Sequence, residues 1–505
     1  MLAKRILQLY NTNVRIVILL IIVSAFLRFF RLPEFTEFLG DQGMDAMLVY
    51  DAVTQGQIPL VGPLSSQGFH QGALYLYFMT PSLLLARFDP LGPSFFAALL
   101  GTGAVVAFWY LAKNLFGKLP ATFMAFAYAV SPYALQQSRT YWNSFLLPLG
   151  SILLLWCFKK LSEKKTLRWY LLTTLVLGTV TQLHYTGLFL LIMSGVLWIA
   201  LGLWKKKLYT LFAFFTFFVP LAPFLLYQLQ NRFVDVSGLL LRLLQYEEVV
   251  QNSAPPSILI LFGILFQNVI PSLSPMLALL FGLVVIATPI FLRKTNLWHI
   301  FLSALLIVSI LLFSLYSGDF HVHYMDFLFP IPFLLTASFL HVLLQKKVDK
   351  RIVVMIAIVI LATNAIRLDS FSPSKNQPQR TRAIAQAIID DAKNIPFSFT
   401  LISSPSFSDL HYRYLLKKAK VPLVQITNEN YNTLFLVCEK LPCPTGQEVI
   451  SAPFIQTLCY EFRCEIFYPK ISTSQWQLKE EKEILGGKLI RLERASLNKQ
   501  NTNRN

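Results

Sequence analysis

The sequence predicts an all-α membrane protein of about eleven transmembrane helices, each needing about 20 apolar residues. A large first outer loop bears juxtamembrane helices, and a small C-terminal α/β outer domain follows. Three observations predict this. The 505-residue chain is 55% apolar and only 14% charged, where a soluble domain keeps about 25% charged residues. The apolar runs stop near Ile366, after which the sequence reads as soluble. Lys and Arg, 44 against 26 Asp and Glu, collect in clusters between apolar runs, as they do on the cytoplasmic side of membrane spans. A soluble enzyme and a disordered scaffold are excluded. The lack of a basic-aromatic patch argues against nucleic acid as a partner.

The elements follow from the charge pattern. Residues 14–30 form the first apolar run, behind Lys4, Arg5 and Arg15. No small-residue cleavage site follows, so the run reads as an uncleaved span. Basic clusters at 4–15, 113–118, 159–168, 205–207, 293–294 and 346–351 mark cytoplasmic turns, and the chain crosses an even number of times between any two. The intervals 120–158, 169–204 and 297–344 hold two apolar runs each. The other two intervals hold three, so one run in each is expected to stay at the outer interface. The shorter candidates are 72–86 and 257–269, each below the length of a span; the rival is that 72–86 crosses as a short span.

This orientation gives a multi-pass plasma-membrane protein with a cytoplasmic N-terminus and an outer C-terminal domain. It puts Asp41, Asp45, His70, Arg139, Asn143, His184, Asp319, His321 and His323 outside, with His299 and His341 near the cytoplasmic clusters. Ionisable groups beside a bilayer are costly unless they line a watery or functional cavity. A site is therefore expected on the outer face.

In the first outer loop, Met44, Met47, Leu48 and Val53 alternate with Asp45, Asp51 and Gln55 in a weakly amphipathic pattern. It predicts an interfacial helix over 45–57, stopped by Gly56, with Asp41 just before it. Pro59, Gly62, Pro63 and Gly68 then form a loop. The aromatic stretch Tyr75, Tyr77, Phe78 reads as an interfacial belt.

An acidic residue in a large first outer loop, followed by the His-bearing stretch Phe69-His70-Gln71-Gly72-Ala73-Leu74-Tyr75-Leu76-Tyr77, resembles the GT-C superfamily of integral-membrane glycosyltransferases. Within it, the chain is similar to the branch of protein O-mannosyltransferases and the lipid A aminoarabinose transferase. Ser131-Pro132 with Ser138-Arg139-Thr140-Tyr141-Trp142-Asn143 resembles the second outer turn, Leu183-His184-Tyr185-Thr186-Gly187 the third, and His321-Val322-His323-Tyr324 with Pro330 and Pro332 the later loop. The resemblance implies transfer of a sugar from a polyprenyl-phosphate donor to a lipid, glycan or protein acceptor outside. Two departures stand out. The family's Asp-Glu pair reads Asp41-Gln42 here, and Asn143 stands where an Asp is frequent. Both remove carboxylate oxygens that a hard divalent cation wants, so no metal cofactor is expected, although Asp45 remains a conceivable ligand.

The residue chemistry points the same way. Glycosyl transfer to a hydroxyl needs a base for the acceptor proton, and Asp41 is the candidate, with helix capping as its rival role. The leaving phosphate needs positive or hydrogen-bonding partners. Arg139 offers a bidentate fork, and His184, His321 and His323 offer imidazole donors. Tyr324 and His70 add neutral hydrogen bonds. Asp45, Gln42 and Asn143 are candidate substrate contacts. Arg139 has the rival reading of interfacial snorkelling. His321 and His323 alternate around Val322, so an extended chain would point both the same way.

From about residue 370 to 495 the pattern is α/β: helix 379–393, strand 397–402, helix 408–420 from a Ser cap, strand 434–438 and a late strand 488–492. The membrane domain then covers 1–369, and 496–505 reads as a disordered polar tail. Cys438, Cys443, Cys459 and Cys464 suggest two disulfides of open connectivity in an oxidising compartment, rather than a zinc site. Cys157 reads as a free buried thiol. Two rival functions are a lipid-linked polysaccharide ligase or polymerase and a lipid or solute transporter. The second would call for an internal repeat and mid-membrane polar residues, and neither is evident in the sequence.

Overall fold

A computed structural model describes residues 2–65, 68–238, 256–294, 296–316, 320–374, 376–404, 406, 408–427, 430–456 and 470–495. In chain order the helices are α1 (Leu2–Phe29), α2 (Leu32–Phe35), α3 (Gly40–Gln55), α4 (Leu74–Leu85), α5 (Leu91–Phe116), α6 (Lys118–Ala129), α7 (Pro132–Gln137), α8 (Leu147–Glu163), α9 (Leu167–Leu183) and α10 (Gly187–Ala200). They continue with α11 (Lys207–Phe218), α12 (Ala222–Gln230), α13 (Ile258–Gln267), α14 (Pro275–Phe291), α15 (Leu297–Phe313), α16 (Pro330–Gln345), α17 (Lys350–Ile366), α18 (Gln377–Ala392), α19 (Leu410–Lys418) and α20 (Gly446–Ser451). The strands are β1 (Val61–Leu64), β2 (His70–Gly72), β3 (Phe397–Ser403), β4 (Thr433–Cys438), β5 (Phe454–Gln456), β6 (Lys470–Ser472), β7 (Trp476–Ile484) and β8 (Gly487–Arg494).

Contacts divide the chain into two units: Met1–Leu32, Ile58–Arg87 and Gly92–Ser372 in the first, and Pro33–Gln57, Phe88–Leu91 and Pro373–Asn505 in the second. The segment carrying Asp41 thus groups with the C-terminal part of the chain, whereas the sequence reading keeps it with the membrane part.

The first unit is helical, apart from the β1–β2 hairpin. Its helices turn apolar side chains both inward and outward. Phe108, Trp109, Phe333 and Leu334 are fully buried, while Ile22, Ile192, Ile199, Phe214 and Phe291 are exposed. An apolar exterior on apolar helices suits lipid as the surrounding solvent. Close approach depends on small residues: a Cβ on Gly178 would lie 2.2 Å from the Phe217 carbonyl oxygen, which lets α9 pack on α11. Among the described residues, α1, α5 and the α17 region are long and apolar enough to cross a bilayer, and two bent pairs, α11 with α12 and Val322–Leu328 with α16, raise the number to five. The runs expected at the interface form α4, of 12 residues, and α13, of 10, roughly 15–18 Å long against a hydrocarbon core of about 30 Å. Helices α6 and α11 also have 12 residues, so helix length by itself does not single out the two interfacial runs. Cys157 is buried and free in α8.

The second unit holds a four-stranded mixed sheet in the order β3-β4-β8-β7. β3 and β4 are parallel, and the β4–β8 and β8–β7 pairs are antiparallel. Alternation along β4 sends Phe435 and Val437 into one core, with Phe397, Phe399, Leu401, Ile384 and Ile388. Leu434 and Leu436 enter the other, with Trp476, Ile490 and Leu492. The expected helices and strands are present with ends shifted by a few residues. Strand β7 was not anticipated; with its Lys479-Glu480-Glu481-Lys482-Glu483 run it forms the charged edge of the sheet, a common safeguard against edge pairing. Cys438 pairs with Cys443. Cys459, Cys464 and the 496–505 tail lie outside the described residues.

Helix α3 starts earlier than expected, at Gly40, so Asp41 sits in its first turn rather than before it. Gly56, with φ of 68°, ends the helix in the left-handed region, as anticipated.

Candidate active site

In the first unit the chain turns sharply at the end of α9. His184 is extended there (φ −160°, ψ 147°) and α10 begins at Gly187. Only glycine fits at that turn, because a Cβ would meet the Val180 carbonyl oxygen at 2.5 Å. His184 is thereby placed 6.2 Å from His323 and 5.6 Å from Tyr324, between ring centroids. The His321 and His323 rings stack at 5.4 Å with an interplanar angle of 14°, so they do face the same way. The cause is different from the one expected: the chain from Val322 to Leu328 is a 3₁₀ helix that begins just after an extended His321. Trp142 closes the nest 4.9 Å from His323.

Nδ1 of the His184 ring lies 2.9 Å from the Thr186 hydroxyl and accepts from the Thr186 amide at 3.3 Å. Burial lowers its pKa to about 4, so it is neutral at neutral pH until an anion arrives to favour its charged form.

His70 lies on β2 and joins the same set of contacts. Its stretch is sewn to the His184 turn: the Tyr185 hydroxyl donates to the His70 carbonyl oxygen, and Phe69 packs edge-on against Tyr185 at 4.6 Å. Asn143, next to Trp142, donates to the Gln71 side chain. Six expected site residues, His70, Asn143, His184, His321, His323 and Tyr324, thus form one connected neighbourhood.

Asp235 belongs to it as well and was not singled out from sequence. Its Oδ1 accepts from the His70 backbone amide at 2.9 Å and lies 3.1 Å from His70 Nδ1. Its Oδ2 accepts from Gln228 Nε2 at 2.6 Å, and its own amide donates to Gln228 Oε1 at 3.1 Å. A carboxylate on Nδ1 fixes the tautomer and turns Nε2 outward.

Arg139 is placed differently from the free fork expected. It is 2% exposed. Its Nη2 donates to the carbonyl oxygens of Leu27 and Phe30 at 2.5 and 3.2 Å and to the Ser370 hydroxyl at 2.9 Å, and Nη1 lies 3.6 Å from Asp369. Those carbonyls are among the orphan acceptors at the C-terminus of α1. Arg139 therefore serves as a helix terminator, an arrangement that leaves little of its fork for a ligand. Arg28 is likewise buried, donating to Ser24 Oγ at 2.7 Å and to the Ala129 carbonyl oxygen at 3.2 Å. Asp326 is fully buried and accepts from the Tyr133 hydroxyl at 2.8 Å. Neither residue stood out in sequence.

In the second unit Asp41 is exposed, while Gln42 is fully buried and Asp45 is 4% exposed. Gln42 Oε1 accepts from the Leu39 amide at 3.0 Å. It caps the helix and is not presented to a ligand, and Asp45 does not lie on the solvated face expected for it. Asp51 pairs with Lys417 at 2.7 Å. Tyr75 is buried and the Tyr77 hydroxyl donates to the Pro59 carbonyl oxygen at 2.5 Å, leaving only Phe78 of the aromatic stretch exposed. Asp319 lies outside the described residues. Among the described residues no three His, Cys, Asp or Glu side chains converge as a metal site would require.

A family model described as dolichyl-phosphate-mannose-protein mannosyltransferase matches residues 70–227, a segment that contains His70, Asn143 and His184. Among solved structures, the chain is similar to ArnT from Cupriavidus metallidurans bound to undecaprenyl phosphate, with a TM-score of 0.58 and 11% identity over 95% of this chain and 98% of that one. The apo state of the same protein gives 0.59 and 11%, over 96% and 98%. The oligosaccharyltransferase of Archaeoglobus fulgidus in its apo form gives 0.50 and 12%, over 84% and 69%. No curated protein matches the sequence.

Proposed function

We propose that this chain, which belongs by fold to the GT-C superfamily of integral-membrane glycosyltransferases, moves a sugar from a polyprenyl-phosphate donor to an acceptor hydroxyl on the outer face of the plasma membrane. The observation that carries this reading is the convergence of His70, Asn143, His184, His321, His323 and Tyr324 from four separate stretches of the first unit.

In the reaction, the bond from the anomeric carbon to the phosphate oxygen breaks and a bond to the acceptor oxygen forms. The acceptor proton passes to Asp41, and the lipid phosphate leaves with the electron pair. A phosphate is already a weak base, so the leaving group needs charge stabilisation rather than a general acid. The histidine nest is suited to that role. His184 becomes cationic beside the phosphate, and His321, His323 and Tyr324 supply further donors. His70, oriented by Asp235, presents Nε2. Asn143 is assigned to the sugar. Arg139 is left to its structural bonds, and Gln42 and Asp45 to shaping α3.

The proposal includes the orientation read from the basic clusters: cytoplasmic N-terminus, about eleven crossings, and a C-terminal domain outside. It also includes metal independence, on the ground that Asp41-Gln42 offers one carboxylate and that the Asn143 amide is engaged with Gln71. Chelator should then leave transfer unchanged. The deciding experiment offers a panel of radiolabelled polyprenyl-phosphate sugars to membranes carrying the protein or its Asp41→Asn variant. A fall in transfer of roughly 10²–10⁴-fold is expected for the loss of a positioned base. Full transfer by the variant would remove Asp41 from the mechanism, and a wild type inert towards every donor would remove the activity.

A further inference from the structure

The exposed acid at the start of α3 is held by residues more than three hundred positions away. Two hydrogen-bonded branches reach the backbone on its N-terminal side. In one, the Phe38 amide donates to Gln377 Oε1 at 2.8 Å while Gln377 Nε2 donates back to the Phe38 carbonyl oxygen at 2.9 Å. In the other, the Gly40 amide donates to Ser406 Oγ at 2.9 Å.

Both branches run back to one carboxylate. Gln377 Nε2 donates to Thr381 Oγ1 at 2.8 Å, and that hydroxyl donates to Glu439 Oε1 at 3.4 Å. The Ser406 amide donates to Ser404 Oγ at 3.0 Å, and Ser404 donates to Glu439 Oε2 at 2.5 Å. The Glu439 side chain is fully buried at the C-terminal end of β4; it also accepts from the Tyr412 hydroxyl at 2.9 Å and lies 3.6 Å from His411 Nε2.

Steric fit completes the hold. A Cβ on Gly40 would come within 2.4 Å of Ser408 Cβ, and one on Gly43 within 2.3 Å of the His411 amide nitrogen. The two glycines are three residues apart on one helix face and seat it flush on the start of α19. Asp41, between them in sequence, stays exposed. The Gly-Asp-Gln-Gly sequence therefore reads as a seat for α3 as well as the address of an acid.

We propose that the C-terminal fold is the mount of the acid-bearing helix, with Glu439 as a positioning residue that sets Asp41 through the Thr381–Gln377 and Ser404–Ser406 branches. This rests on the reading of Asp41 as the base. It assigns a task to a domain in which the sequence shows no nucleophile, metal or nucleotide motif. A displacement of about 1 Å in a reacting group is enough to cost about 10²-fold in rate, so a mount of this kind acts on turnover and not on donor binding.

The test uses the full-length protein in lipid nanodiscs with four variants: Ser406→Ala, Gln377→Ala, the two combined, and Ser406→Thr. Ser406→Ala and Gln377→Ala each lower kcat by about 10-fold and the combined variant by about 10²-fold, with the KM for the polyprenyl-phosphate sugar held within about twofold. Ser406→Thr, which keeps the hydroxyl, restores kcat. Hydrogen exchange speeds up at residues 39–45 in the variants while β4 keeps its protection. Unchanged kcat together with unchanged exchange in the combined variant overturns the mount. If Asp41→Asn is fully active, the base assignment fails instead, and the exchange measurement still judges the mount by itself.

Discussion

Each unit buries histidine among aromatic rings, and the two clusters differ in where negative charge comes from. In the second unit His411 lies against Glu439, with Tyr412, Ser404 and Thr381 filling the carboxylate's remaining capacity. In the first, His184, His321 and His323 face one another, Trp142 and Tyr324, and among the described residues no carboxylate bonds to these three imidazoles. One cluster already holds its anion. The other gathers imidazole donors, and the carboxylate described in its neighbourhood, Asp235, is bonded to His70 and Gln228 and not to those three rings. That difference separates a structural network from a binding site more clearly than burial does, because His184 and His411 are both below 10% exposed.

The largest expected effect comes from removing the anion of the His411 cluster. Glu439→Ala leaves His411, Arg380 and three hydroxyls facing an empty place, and losing one partner of a buried charged network costs about 3–5 kcal/mol. Thermal unfolding of the purified protein followed at the C-terminal peptides by hydrogen exchange measures it. A loss below about 1 kcal/mol would show that Glu439 is not the keystone described. The same carboxylate predicts a pH response. Burial favours its neutral form, but the adjacent His411 ring and hydrogen bonds from Ser404 and Tyr412 outweigh that and hold its pKa at about 2, from 4.5. A depressed acid contributes stability above its unfolded value, and the contribution fades as pH falls from 4.5 towards 2. Exchange from β3 and β4 should therefore accelerate below pH 4.5, and Glu439→Gln should flatten that dependence.

The open cluster should behave in the opposite way. His321→Ala with His323→Ala is expected to shift unfolding by under about 1 kcal/mol, as for substitutions outside a tightly packed core. Transfer, however, should fall by about 10–100-fold through loss of charge-assisted bonds to phosphate. Donor-dependent rates beside a melting curve separate the two quantities; a large fall in stability at unchanged donor KM would make this cluster structural too. Asp235→Asn sharpens the contrast from between the extremes. It preserves shape but no longer prefers Nδ1–H on His70, and about a tenfold rise in donor KM is expected, with His70→Lys keeping donor binding if a cation is what the position supplies.

How much of this was legible in the sequence depended on the range of the interaction. The membrane class, the histidine-bearing motifs and the β3 and β4 strands show in local composition and alternation. The His70–Asp235 contact joins residues 165 apart, and Asp235 sits in no local pattern that would single it out. Gly40 and Gly43 carry the usual signal for a turn, and only the close approach of α19 explains why they sit inside a helix instead. Arg139 looks like an interfacial cation in sequence and Arg28 does not stand out, and only the carbonyl oxygens of α1 and α6 show what their donors are for. Strand β7 gave no hydrophobic signal to read, because an edge strand can be charged along most of its length.

The smallest effect tests whether it is burial that gives the Glu439 network its weight. Asp51 and Lys417 also join α3 to α19, at 2.7 Å, but their side chains are 30% and 44% exposed. An exposed pair gains little in water and pays the entropy of two ordered side chains, so it contributes about 0–1 kcal/mol. Lys417→Ala should leave kcat within about twofold and melting nearly unchanged, and the residual effect should vanish as salt screens the pair. Exchange at residues 39–45 in this variant should match the wild type, because the seat of α3 is built at Gly40 and Gly43 and its tether at Gln377 and Ser406. If Lys417→Ala instead loosened that segment as much as Ser406→Ala does, helix-to-helix charge would be holding α3, and the buried branches from Glu439 would be incidental to it.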